Sequence, residues 1–523
     1  MIEEKKLRQP NLLGMNKKVL AGLKDYYETT MADSFIWMND SGRQSTFNLA
    51  VRGLRDHKVV SQHTFEKDGK KFETFEIEKH NYLMSCGQEQ AIAYILNYEL
   101  GDNLIDMYER KGLACKTIEH LKENRTLNID VYGIEEGVPI FGHEPILSVN
   151  GGFEEDQFPE TLMLSPIGYQ TAVATTASYI RNILKEFGRE DIVTLEGGSR
   201  RCISPLHASK AALVGGMKGT SLEQMGVEYP ELEDRVGGSA GHSAVLHAGG
   251  DEKAFEKQLR AYFKLDNDDS VETIEQKINE IEKKGSVGPT FLLDTYDSTE
   301  GLEVAINIAK KYDLKKWNVR TDSGDPLERT KYMRSRLDER GCEHAKIMAS
   351  DDLTADKIYY LLENNAPIDI ILIGTYLVNP FKLPGPVYKV ARDEQENGNV
   401  IDICKIVKNN PSKATLPGRL EVYRVLSTED GMANHDLILM AGEKAEDYLT
   451  EGEEAVKLTK QFVKDGELVH DFGKLTDTQD RREFWLNKMR PQYMKFKGAD
   501  EYPVKVSPLV EKAKTEYAKR MFG

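Results

Sequence analysis

No run of about 18 uninterrupted apolar residues occurs in the chain, so nothing in it reads as a bilayer-spanning helix. The first ten residues, MIEEKKLRQP, lack the apolar stretch of a secretory signal, which predicts a protein that stays in the cytoplasm. Cysteine is scarce. Cys86, Cys115, Cys202, Cys342 and Cys404 lie far apart with no C-x-x-C pair, so neither a disulfide framework nor a structural zinc site is expected. Positive charge is in the minority: 86 acidic residues against 70 Lys and Arg leave a formal net charge of -16, which argues against a general nucleic-acid binder. Solenoid-period repeats and low-complexity tracts are also missing.

What is present is the balance of an ordinary soluble protein, 40% hydrophobic and 30% charged, which can bury a sizeable core. A length of 523 residues suggests several domains, although one barrel can absorb about 250 residues. Residues 1–150 mix helical stretches with β-like runs such as FETFEI (72–77) and read as an α+β domain. From about residue 190 the pattern changes. IVTLEGG, TFLLDTYD, WNVRTDSGD, AKIMASDD and DIILIGTY are short apolar runs that each stop abruptly at polar or small residues, as buried parallel strands do. The polar endings at Asp294, Arg320, Ser350 and Gly374 are 26, 30 and 24 residues apart, the spacing of strand-plus-helix units. Between two of them, Leu302, Ala305, Ile306 and Ala309 share one face at helical spacing. The expectation is an α/β barrel over residues 151–395, its strand ends converging on one site, because parallel sheets bind ligands at the carboxyl ends of their strands. Beyond residue 395 the repeat stops. A basic loop, KNNPSKATLPGR (408–419), leads into strand-like EVYRVL, and residues 396–523 are expected to pack back on the N-terminal domain.

Five segments can carry chemistry. VRTDSGDP (319–326) sets Arg320, Asp322, Ser323, Gly324 and Asp325 between a strand and a helix, where backbone amides can meet a phosphate and the aspartates a sugar hydroxyl or magnesium; by itself it is equally a capped turn. LIGTYL (372–377) offers the bare backbone of Gly374 and the hydroxyl of Thr375, either a phosphate cradle or a tight turn. EGGSRR (196–201) joins two glycines to Arg200 and Arg201, whose planar forks match phosphate oxygens. GGSAGHSAVLH (237–247) holds His242 in a small-residue loop, accessible as a nucleophile or base, although a lone histidine is more often structural. Tyr26 and Tyr27 sit in a helical stretch, where core packing competes with stacking on a planar ligand.

Taken in order, these motifs resemble the nicotinate phosphoribosyltransferases, type II phosphoribosyltransferases of pyridine nucleotide salvage. The resemblance spans residues 20–425 and includes GHEPILSVNGGFEEDQFPET (142–161), YQTAVATTA (169–177) and KATLPGRLEVYR (413–424). It implies an irregular (β/α) barrel, a homodimer with active sites at the subunit interface, and ATP-coupled transfer of phosphoribosyl from phosphoribosyl pyrophosphate to nicotinate. By the same likeness Tyr27 would reach across the dimer to stack on the pyridine ring, and Arg320 would cover it from its own subunit. Arg200 and Arg201 would meet pyrophosphate and ribose, and Asp294 and Asp322 ribose and magnesium. Ser350, Asp351, Gly374 and Thr375 would hold the 5-phosphate. Ser239 would lie near nicotinate, and His242 matches the histidine that ATP phosphorylates.

The chain departs from the family pattern at three places. E-F-G-x-R-R reads EGGSRR, so Gly197 replaces an aromatic and should leave one side of the base pocket open. G-T-S-N becomes GTSL at Leu222, and A-H-S becomes GHS at Gly241. Ser221 stands where related nicotinamide enzymes carry an aspartate, and a serine does not repel a carboxylate. The rivals are a nicotinamide phosphoribosyltransferase, a non-catalytic ligand-binding relative, and a metal-dependent aldolase or isomerase barrel.

Overall fold

A computed structural model of the chain describes residues 7–38, 43–52, 54, 58–67, 70–79, 81–283, 287–380, 385–395, 398–408 and 413–523; the first six residues and residues 409–412 of the basic loop lie outside them. The chain divides into two compact units, one of Met1–Ser178, Leu206–Gly215 and Pro380–Gly523, the other of Tyr179–Pro205 and Gly216–Asn379.

In the first unit, early and late parts of the chain share one seven-stranded sheet. Its order is Val400–Asp402, Pro386–Glu394, Gln44–Val51, Pro145–Gly152, Asp130–Ile134, Thr459–Lys464 and Glu467–Leu468. Every neighbouring pair is antiparallel. The FETFEI run lies in a strand, Lys70–Lys79, paired with Lys58–Lys67. EVYRVL falls in Leu420–Ser427, which pairs with Ala433–Met440 so that Arg424 stands opposite Asp436. Both are fully buried and 2.7 Å apart, with the guanidinium among the rings of Phe141, Trp485 and Tyr502. A buried cation is tolerated here because its charge is paired and hydrogen-bonded.

The second unit is built on six parallel strands: β1 (Val193–Glu196), β2 (Gly219–Thr220), β3 (Thr290–Leu292), β4 (Asn318–Thr321), β5 (Lys346–Ala349) and β6 (Ile370–Ile373). Their order is β3-β4-β5-β6-β1-β2, parallel at every step. Five of these are the five apolar runs of the sequence; β2 is too short to show as one. Val319, Ile347, Ile371 and Ile373 on one face of the sheet are buried, as strands covered by helices require. The helix Ser298–Lys311 buries Leu302, Ala305, Ile306 and Ala309 and is capped by Asp297, which accepts from the N–H groups of Thr299 and Glu300. These side chains join Phe255, Trp317 and Leu337 in one core cluster. Among the described residues no helix is long and apolar enough to cross a membrane.

Candidate active site

The strand order sets six loops side by side along one carboxyl edge. With strands about 4.8 Å apart, that edge extends roughly 24 Å. It carries in turn Asp294, Arg320 with Asp322, Ser350 with Asp351, Gly374 with Thr375, Gly197 to Arg201, and Ser221.

Arg320 occupies the densest part. Its Nε donates to Ser350 Oγ at 3.0 Å, Nη1 donates to Ser239 Oγ at 3.0 Å, and Nη2 lies 3.0 Å from Asp322 Oδ1. Ser350 Oγ is also 2.6 Å from Asp322 Oδ1. Burial works to raise the Asp322 carboxyl, but the Ser350 hydroxyl, the Arg320 guanidinium and the nearby His242 outweigh it and hold it below the ordinary carboxylate value. Three segments far apart in sequence, at Ser239, at Arg320 with Asp322, and at Ser350, therefore meet at one guanidinium.

Beside them, Asp294 Oδ2 accepts from the Asp322 N–H at 2.9 Å and the Ser323 hydroxyl at 2.6 Å, while its Oδ1 is buried with no hydrogen-bond partner. Such an orphaned oxygen suits a hydroxyl or a cation. Asp325, by contrast, is the cap of the helix Pro326–Glu339, accepting from the N–H groups of Leu327 and Glu328. The stretch VRTDSGDP is thus both a site and a capped turn, with the two aspartates dividing the work.

His242 begins the helix His242–Ala248, with Nδ1 3.0 Å from Thr295 Oγ1, next to Asp294 in sequence. The loop before it is tied to three strands. The Gly237 N–H donates to Thr220 O at 3.0 Å at the end of β2, Ser239 meets Arg320 near the end of β4, and His242 meets Thr295 after β3. Because β2 and β3 are the two edge strands, one loop spans the ends of the ladder, and the barrel is irregular in this sense.

At the other end, Arg201 Nη1 donates to Thr375 Oγ1 at 2.9 Å, and Asn379 Nδ2 donates to Arg201 O at 3.0 Å, so the EGGSRR and LIGTYL loops are joined. Their approach is close: a Cβ on Gly198 would lie 2.6 Å from Gly374 O. Only glycine fits there, and the cause is space, since Gly198 has an ordinary φ of -98°. Arg200 is exposed, as are Ser221 and Ser239. The Ser221 N–H donates to Glu196 O at 2.9 Å. Asp351 is exposed at φ 81°, followed by Asp352 at φ 39°, two left-handed aspartates that turn the chain sharply after β5. Burial, then Asp352 and Asp322, raise the Asp351 carboxyl.

Tyr27 belongs to the first compact unit, on the helix Tyr26–Trp37. It is 45% exposed. Partial burial and a hydrogen bond to Glu160 push its phenol well up. That unit also has a cavity of about 20 Å³ lined by Asn48, His143 and Leu420, large enough for one water only.

Several residues escaped the sequence reading. Glu196 is fully buried and holds the arginine loop: one oxygen accepts from the Gly198 and Ser199 N–H groups, the other from the Ser199 and Thr220 hydroxyls at 3.0 and 2.6 Å. An acidic residue ending an apolar strand ahead of two glycines was its only signal. Thr295 had none. Gly197 does not border an open space as expected. A Cβ there would come 2.7 Å from Leu372 Cδ1, so Leu372 fills the position. Gly241, in contrast, faces open surroundings, with nothing nearer to its virtual Cβ than Ser243 Oγ at 3.9 Å.

An open-laddered α/β barrel whose carboxyl edge gathers guanidinium groups, bare amides and carboxylates is an enzyme-type site for an anionic sugar. Residues 419–514 match the family model described as the nicotinate phosphoribosyltransferase C-terminal domain. The chain is 30% identical over 427 residues to nicotinate phosphoribosyltransferase pncB1 of Mycobacterium tuberculosis, covering 80% of this chain and 81% of that protein. Over 452 residues it is 28% identical to the nicotinate phosphoribosyltransferase of Bacillus subtilis, covering 82% and 85%. It shares its fold with human nicotinic acid phosphoribosyltransferase at a TM-score of 0.67 and 19% identity, covering 95% of this chain and 100% of that one. The chain belongs to the nicotinate phosphoribosyltransferase family.

Proposed function

We propose that this protein transfers phosphoribosyl from phosphoribosyl pyrophosphate to nicotinate, yielding nicotinate mononucleotide and pyrophosphate. The observation that carries the reading is the convergence of Ser239, Asp322 and Ser350 on Arg320, beside the Arg201–Thr375 pair at the same edge. In the reaction the pyridine nitrogen bonds to C1 of the ribose while the C1–O bond to pyrophosphate breaks. Positive charge grows on the sugar and negative charge on the leaving group, so carboxylates belong near the former and guanidinium groups near the latter. Asp294 and Asp322 suit the first role, and Arg200 and Arg201 the second. Ser350, Asp351, Gly374 and Thr375 would take the 5-phosphate.

Among the described residues no three His, Cys, Asp or Glu side chains are grouped to hold a metal. Magnesium nevertheless fits, because it commonly takes one or two carboxylates plus substrate phosphates, and Asp294 Oδ1 is an unclaimed ligand. Bound there with Asp322, it would neutralise charge on the departing pyrophosphate. ATP is the proposed co-substrate, acting through His242: His242→Ala is expected to lose ATP stimulation and keep uncoupled transfer, and full coupling in that variant would refute the assignment. A homodimer is proposed, supported by the exposure of Tyr27 and Trp37 on one helix and of Met38 at its C-terminal cap. None of the five cysteines forms a disulfide, which suits a cytoplasmic setting.

Nicotinamide is the second reading for the base. Ser221, exposed at the end of β2, brings no charge against a carboxylate and so favours nicotinate. Product analysis with phosphoribosyl pyrophosphate and either pyridine, with and without ATP, tests both readings. Nicotinamide mononucleotide as the main product would overturn the first, and ring binding without turnover would leave a non-catalytic relative.

A further inference from the structure

The parallel sheet is buried on one face, and on the other Leu292, Met348 and Ile370 are buried too, so that face is partly open chiefly in the row nearest the carboxyl edge. On the first face Val319, Ile347, Ile371 and Thr194 are buried. The opposite face is read from the register: Arg320 pairs with Met348, Met348 with Ile370, and Ile370 with Val193. Two residues nearer the carboxyl edge on the same face, the next row holds Asp322, Ser350, Leu372 and Leu195, the last two paired directly. Ser350 is buried, but Leu372 and Leu195 are only half-buried. Two aliphatic side chains are thus left partly open in the row that holds the Arg320 partners, where a folded chain would ordinarily cover them.

Gly197 explains how the floor is shaped. Its N–H donates to Ile373 O at 2.8 Å, which sets it beside β6. Its φ is not in the left-handed region, so the backbone does not demand glycine. The constraint is Leu372: a Cβ would meet its Cδ1 at 2.7 Å, Cγ at 3.1 Å and Cδ2 at 3.6 Å, so a larger residue at 197 requires that side chain to move. The leucine lies across the glycine and occupies the volume that any larger residue at 197 would use.

We infer that Leu372, seated over Gly197 and paired with Leu195, is the floor on which the planar ring of the acceptor lies, and so a specificity-determining residue. The inference rests on the proposed function and deepens it. An aliphatic floor with a guanidinium at one side suits a flat, uncharged aromatic ring bearing an anionic substituent. Positions 197 and 372 form one volume, so bulk at one requires its removal at the other.

Steady-state kinetics with phosphoribosyl pyrophosphate and nicotinate test this on four chains: wild type, Leu372→Ala, Gly197→Phe, and the two substitutions combined. Leu372→Ala should raise KM for nicotinate about tenfold, with KM for phosphoribosyl pyrophosphate within about twofold. Gly197→Phe alone should lose nicotinate use or folded yield, and the combined variant should recover both. Leu372→Val, a smaller cut in the same side chain, serves if the alanine variant does not fold and should raise KM for nicotinate about threefold. An unchanged KM for nicotinate in Leu372→Ala or, where that variant does not fold, in Leu372→Val, or a fully active Gly197→Phe single variant, would overturn the inference and leave the proposed reaction standing. No nicotinate mononucleotide from the wild-type chain would remove the reaction, and this inference with it.

Discussion

Glu196 offers the clearest test of how the site is held, because it is buried beneath the arginine loop and is not itself placed on substrate. Its carboxylate accepts from two backbone N–H groups, Gly198 and Ser199, and from two hydroxyls, Ser199 and Thr220. Hydrogen bonds to a charged group contribute about 1.5–3 kcal/mol each, and they are not additive within one network. Glu196→Ala leaves two buried amides unpaired and removes the anchor of both hydroxyls, for a loss of about 3–5 kcal/mol, the range for breaking a buried charged network. Glu196→Gln is gentler. Its carbonyl oxygen still meets the two amides, and the hydroxyls can rotate to accept from its amino group, so about 1–2 kcal/mol is expected from the lost charge assistance. Urea unfolding measures these losses. Since Gly198 and Ser199 lead directly into Arg200 and Arg201, Glu196→Gln should also raise KM for phosphoribosyl pyrophosphate about tenfold, the worth of about 1.4 kcal/mol. KM for nicotinate should move less. A destabilised Gln variant with an unchanged KM for phosphoribosyl pyrophosphate would refute the claim that this carboxylate sets the arginines. An Ala variant as stable as wild type would refute the hydrogen-bond reasoning itself.

Gly198→Ala places a methyl 2.6 Å from Gly374 O, a backbone atom that cannot swing away, so a loss of about 1–3 kcal/mol is expected; an unshifted urea midpoint would contradict the close approach of the two loops. Arg320→Lys keeps the charge but cannot reach Ser239, Ser350 and Asp322 together, so about a tenfold rise in KM for nicotinate with reduced kcat is expected, and kinetics within twofold of wild type would deny Arg320 its central place. In the first unit, burial pushes the Glu28 carboxyl up to about 7 against the favourable Thr161 hydrogen bond. A carboxyl with a raised folded pKa holds its proton longer when folded, so stability falls as pH rises from its unfolded value, about 4.3, and the full penalty is present above the raised value. Glu28→Gln should therefore stabilise the protein by about 1–2 kcal/mol more at pH 8 than at pH 5, allowing for solvent screening; equal changes in Tm at the two pH values would count against it.

Much of the site was legible because its residues end strands. A parallel strand buried on both faces is an unbroken apolar run, and the first polar residue after it lies at the carboxyl edge, so Asp294, Arg320, Ser350 and Gly374 could be read off their spacing. What resisted reading was whatever depended on a neighbour distant in sequence. Glu196 looked like the end of a strand, yet it is the acceptor for four donors, one of them on Thr220. Asp322 and Asp325 belong to one motif that does not by itself tell them apart, and although the family resemblance singled out Asp322, it is the tertiary structure that shows one touching Arg320 and the other capping a helix.

Local periodicity and the chemistry of strand ends were enough to establish a parallel α/β unit and which loops gather at its carboxyl edge, because alternation and apolar run length are properties of a few consecutive residues. Only tertiary packing decided that one loop reaches from β2 past Arg320 to Thr295, that Arg201 clasps Thr375, and that Leu372 stands in the volume Gly197 gives up. Those outcomes depend on which strands become neighbours and in what register, and no single stretch of sequence encodes the distance between two side chains that meet only after the sheet has assembled.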